Sequence, residues 1–186
     1  MIANRRQSGV RGIAGVLALA AVAGCATHAD RIRDARDLYY RGQVELAAQR
    51  LEKTLPRAGK DADVISLDLA TTQLFAGRPD RTEQMLREVR DRFDYLEQKD
   101  FTEAALSYVL DDNQRAYAGE DYEKVLIRVM LALANLMGEG GDAEAYSLQV
   151  TDKQQQIIEA GAKLDEENPK AAYQRVAVGA YLHGVL

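Results

Sequence analysis

The chain has 186 residues with 29 acidic against 24 basic side chains, a net charge of −5. That balance argues against the basic face nucleic acid demands and against a polybasic grip on anionic lipid. A single cysteine excludes an intrachain disulfide, so packing must supply the stability. With three prolines and few β-branched runs, the expected class is all-α.

Residues 1–24 read as an export signal. Arg5, Arg6 and Arg11 open the chain without an acid, and a short run of small and aliphatic residues follows from Gly12 to Gly24. That run is too short to span a bilayer, which needs roughly 20 apolar residues. It ends in Val22-Ala23-Gly24-Cys25, which resembles the lipobox of bacterial lipoproteins: an aliphatic residue, two small ones, then Cys. The resemblance implies cleavage before Cys25, a diacylglyceryl thioether on its sulfur and a palmitate-bearing terminus. Two or three acyl chains make such an anchor stable. By the same resemblance, Ala26 in place of Asp implies the outer membrane rather than the inner, facing the periplasm. Asn4-Arg5-Arg6 raises a twin-arginine export route as an alternative, but the apolar residue expected after the pair is missing.

From Cys25 on, 29 acidic residues face 21 basic ones, a net charge of −8. This length suffices for one domain with its own core, expected over residues 25–186.

Residues 35–55 and 70–89 align at an offset of 35. Ala35 falls on Ala70, Tyr39 on Leu74, Gly42 on Gly77, Ala47 on Thr82, and Leu51 on Leu86. Small residues suit close helix crossings, and Gly suits the end of a first helix, where φ turns positive. The pattern resembles the tetratricopeptide repeat (TPR), an array of antiparallel helical hairpins forming an α-solenoid. Pro79 and Thr82 depart from it, and an ordinary helical bundle is the competing arrangement. The resemblance implies a groove lined by the first helix of each pair, here Ile32, Arg36 and Tyr39, then Leu67, Thr71 and Leu74. It would take a peptide or a partner helix.

Capping and periodicity predict helices near 30–41, 44–56, 61–76, 80–97, 100–111, 121–137, 142–163 and 169–183. Asp80 with Glu83, and Asp100 with Glu103, have capping-box spacing. Asn168-Pro169 places a cap before a first-position proline. The run from Val125 to Met137 is apolar almost all round, so it is expected to be central. The segment from Tyr117 through Gly119, Glu120, Asp121, Tyr122 and Glu123 resembles uncharacterised bacterial envelope lipoproteins with TPR-like repeats. That likeness implies a fold and an address, without an activity.

Chemistry is sparse. His28 and His183 stand near opposite ends, and none of HExxH, GxSxG, CxxC or GxxxxGK occurs. Gly138, Gly140 and Ala143 match a dinucleotide-binding spacing, but the expected context is a helix where that motif needs a strand. No metal or cofactor is expected. Acid clusters stand at Asp111–Asp112, at Glu120, Asp121 and Glu123, and at Asp165–Glu166–Glu167. They suit helix ends; paired in a cleft they could do acid–base work. The expected function is therefore a lipid-anchored scaffold or assembly factor that binds envelope proteins or peptides, with no catalytic residue and no nucleic-acid partner. The alternative is a membrane-anchored enzyme acting on cell-wall polymer through those acids. Val176, Val178, Tyr181, Leu182, Val185 and Leu186 leave the last helix apolar, so the array is expected to lack a polar closing cap.

Overall fold

The computed structural model describes residues 28–103, 117–162, 170 and 177–186. Residues 1–31 and 32–186 form two compact units, and the packing below belongs to the second. Among the described residues all regular structure is helical. Helices α1 (His28–Tyr40), α2 (Val44–Thr54), α3 (Ala62–Phe75), α4 (Pro79–Glu103), α5 (Asp121–Met137), α6 (Ala143–Ala162) and α7 (Ala177–Val185) follow one another. Two 3₁₀ turns, Leu55–Arg57 and Gly59–Asp61, join α2 to α3. Packing is sequential: α2 on α3, α3 on α4, α4 on α5, α5 on α6, and α6 on α7.

The offset of 35 is present in the backbone as well as the side chains. After α1 the Gly42 amide donates to the Tyr39 carbonyl at 2.9 Å and Gln43 to Leu38 at 2.9 Å. After α3 the Gly77 amide donates to Leu74 at 3.0 Å and Arg78 to Gln73 at 3.0 Å. Gly42 and Gly77 have φ of 74° and 73°. Each is a Schellman closure, in which a left-handed residue lets two amides satisfy the last carbonyls of the helix. Ala35, Ala47, Ala70 and Thr82 are all buried. The Thr82 hydroxyl donates to the Ala70 carbonyl at 3.1 Å, so the small residue lets α4 approach α3 backbone-close.

Two features correct the sequence reading of α4. The stretch 79–103 is one helix, where two were expected at 80–97 and 100–111. No Gly or Pro interrupts residues 80–103, so nothing stops the first helix before Asp100, and Asp100 lies inside it. Asp80 does not cap either: Pro79 already occupies the first turn, and its fixed φ and missing N–H start the helix. Residues 104–111, Asp111–Asp112, Asp165–Glu166–Glu167 and Asn168-Pro169 lie outside the described residues. Helix α7 runs to Val185 rather than ending at 183.

Helix α5 stands between two apolar clusters. Ile127 and Leu131 join Phe93, Leu86, Ile65 and Leu69. Val125 and Val129 join Val150 and Ile157 of α6. The final helix lays Gly179 on Val150, where a Cβ would come to 2.7 Å. It buries Leu182 and leaves Tyr181, Val185 and Leu186 exposed. No described helix is long and apolar enough to cross a membrane.

Candidate functional site

Helices α1 and α3 face each other across a cavity of about 240 Å³. Ile32, Arg36 and Tyr39 come from α1, Asp68 and Thr71 from α3, and Leu51 of α2 closes the floor. Of the six groove residues expected from sequence, the structure brings together Ile32, Arg36, Tyr39 and Thr71. Leu67 and Leu74 are elsewhere: Leu67 packs against the core and Leu74 is buried in it. At about 100° per residue, both lie about 40–60° round the helix from Thr71 on the core side, whereas Asp68 lies about 60° round on the other. The turn of the helix, which the repeat alignment does not track, thus swaps two leucines for a polar wall.

Tyr39 organises the rim. Its ring meets Tyr40 edge-on at 5.9 Å between centroids and Phe75 at 5.8 Å. Tyr40 is 78% exposed and Phe75 64% exposed, so two aromatic surfaces stand in solvent beside the cavity. Neither was singled out from sequence. The aromatic pair at 39–40 was a readable signal, but Phe75 joins it only through the packing of α3. Arg36 is exposed and has no hydrogen-bond or ion-pair partner among the described residues.

The segment from Tyr117 to Glu123 forms the start of α5. The Tyr117 ring packs edge-on against Phe93 at 5.8 Å, and its hydroxyl donates to Glu123. Burial, and then the Glu123 carboxylate, hold that phenol well above its usual pKa. Gly119 has φ 77°. Glu120 is the N-cap, and its amide donates to Glu123 Oε2 at 2.9 Å, closing a capping box. Asp121 pairs with Lys124 at 3.9 Å and with Lys170. Tyr122 points outward. The residues of this motif are engaged in starting α5 and seating it on α4.

A second polar feature was not foreseen. Asp94 and Glu97 of α4 meet Lys124 and Arg128 of α5 and Lys153 of α6. Arg128 donates twice to Asp94, at 2.9 and 2.7 Å. Lys153 reaches Asp94 at 3.2 Å and also Glu97, and Lys124 lies 3.4 Å from Glu97. The three cationic side chains are only 9%, 8% and 5% exposed for Lys124, Arg128 and Lys153. Burial pushes the Asp94 carboxyl up, but the hydrogen bonds and charges of Arg128 and Lys153 outweigh it and hold the pKa below its usual value. Open clefts of about 350 and 430 Å³ flank the network. Arg128 inside an apolar run was the available signal, since a buried charge requires a partner. Its partner lies 34 residues away, beyond any local pattern.

The loop after α5 is held by a similar device. Asn135 donates to Glu83 at 3.0 Å and accepts from the Asp142 amide at 2.8 Å. Tyr146 donates to Glu83 at 2.8 Å, and Arg87 bonds Glu83, Asp142 and the Tyr146 oxygen. Gly138, Gly140 and Gly141 therefore sit in a pinned turn that follows a helix, without the strand a dinucleotide site needs. Among the described residues no three His, Cys, Asp or Glu side chains converge on a point that could hold a metal.

No family model matches the chain, and no curated protein or solved structure does either.

Proposed function

We propose that this protein is a lipid-anchored envelope protein that binds other proteins through the groove between α1 and α3, as a scaffold or assembly factor built on TPR-like hairpins. The observation that carries the reading is the concave site itself: a cavity with Ile32, Leu51 and Tyr39 for apolar contact, rimmed by exposed Tyr40 and Phe75. Exposed aromatics beside an apolar concavity are characteristic of protein-binding surfaces. The basic, apolar and small-residue order ending at Cys25 supports the anchor and the envelope address, with the outer membrane favoured by Ala26. The two matching helix closures at an offset of 35 support the repeat. The enzyme reading is the weaker one, because Glu120, Asp121 and Glu123 are occupied as a cap and in ion pairs.

A photoreactive residue at Tyr39, introduced into the full chain in intact cells, tests it. Irradiation is expected to give a discrete protein adduct that is lost when Thr71→Arg fills the groove. The same probe at exposed Glu88 on α4 should not give that adduct. An identical adduct from both positions, or one indifferent to Thr71→Arg, means the groove is not the binding surface.

A further inference from the structure

The groove carries a charge signature as well as a shape. Asp68, the acid on its α3 wall, is engaged within the protein. Asp34, on the outer face of α1, pairs with Arg50. Arg36 is left as a cation of the lining whose charge no described side chain answers. It sits one turn from Ile32 and one turn from Tyr39 and Tyr40, so the charged side chain has an apolar or aromatic neighbour on either side along the helix.

Resting on the groove reading above, we infer that the occupant is a segment of another protein that presents an aromatic or aliphatic side chain with a single carboxylate on a neighbouring position of the same face. The apolar side chain enters the cavity between Ile32, Tyr39 and Leu51. The carboxylate meets the Arg36 guanidinium, whose planar fork matches a carboxylate. The aromatic rim is already assembled, because Tyr39 meets the rings of Tyr40 and Phe75 edge-on. One acid is the match rather than a phosphate or an acidic tract. Asp68 stands on the opposite wall, and the chain's net negative charge repels any further acid.

A random-peptide display library panned on the detergent-solubilised full chain tests the chemistry. Enriched peptides are expected to carry an apolar or aromatic residue with Asp or Glu one helical turn away, or two positions away if extended. For the best peptide, anisotropy should show binding about threefold weaker to Arg36→Gln and about tenfold weaker to Arg36→Glu. Exchanging the peptide's acid for Lys should restore binding to Arg36→Glu. Arg36 is exposed, so these variants keep the fold, which circular dichroism checks. Acid-free peptides that bind through Tyr39 and ignore Arg36→Glu would overturn this inference and leave the groove reading standing. Self-association blocked by Thr71→Arg would overturn it in favour of a second copy as occupant. If no enriched peptide is blocked by Thr71→Arg, both readings fall.

Discussion

Gly119 stands against the ring of Phe93 so closely that a Cβ would lie 2.4 Å from two of its carbons. The same residue has φ 77°. One glycine thus satisfies two demands, a left-handed turn before α5 and a backbone-to-ring contact with α4. Gly119→Ala is expected to lose about 1–2 kcal/mol to the backbone and about 1–3 kcal/mol more to overpacking. Gly42→Ala has a similar φ with nothing within 4 Å, so it should show the first cost alone. Urea denaturation of the two variants measures the difference. Equal losses would mean that Phe93 yields freely.

Ala70 lies fully buried with the Thr82 hydroxyl on its carbonyl. Ala70→Leu is expected to force α3 and α4 apart at a cost of roughly 1–3 kcal/mol. Ala35→Leu, at the buried position 35 residues earlier, should behave alike. Thermal melts unchanged for both would mean that these faces have room, contrary to their burial.

Asp94→Asn removes the charge that holds Arg128 and Lys153. Both cations stay buried, so the loss should approach about 3 kcal/mol, the low end for a broken buried pair because Asp94 reaches solvent. The wild type should also be acid-sensitive. Asp94 has a depressed pKa in the folded protein. So does Glu83, where the hydrogen bonds of Asn135 and Tyr146 and the charge of Arg87 overcome the opposing effect of burial. Their stabilisation is complete above the ordinary carboxylate pKa of about 4 and is lost as pH falls through the lower folded value. Urea midpoints taken downward from neutral pH should fall below about pH 4, and fall less in Asp94→Asn. A flat profile would refute the linkage.

Tyr117 works in the opposite sense. Its folded pKa is raised, so its stabilisation holds below the ordinary phenol value of about 10 and fades as pH rises above it. Tyrosinate absorbance should show part of the nine-tyrosine signal appearing only when the protein unfolds. Tyr117→Phe should shrink that late fraction. An unchanged late fraction would place the perturbed phenol elsewhere.

Cys25 lies outside the described residues, and its chemistry is tested directly. Labelled palmitate is expected to enter the wild type and not Cys25→Ser, with Cys25 as the first residue of the mature chain. Equal labelling would remove the anchor from the proposal.

Much was legible in the sequence because it is local. Helix class follows from periodicity, and the turns after Tyr40 and Phe75 follow from one glycine each. The start of α5 follows from Glu120 and Glu123, three residues apart. The small residues at 35, 47, 70 and 82 are all buried, and at 70 and 82 they mark the close approach of α3 and α4, because side-chain volume is a property of the single position. The split wrongly expected near Asp100 shows the limit of such signals: a starting pattern does not end the helix before it. Of the six positions, Ile32, Arg36 and Tyr39 share a cavity because they lie on one face of α1, and Thr71 of α3 joins them across it. Leu67 and Leu74 lie away from that cavity, because the rotation of α3 is set by what it packs on. Tertiary structure alone decided the rest. Arg128 finds Asp94, Lys153 finds Glu97, and Phe75 finds Tyr39 across separations that no local spacing encodes. Which acid answers a buried cation depends on the register in which three helices settle, and burial of their apolar faces fixes that register.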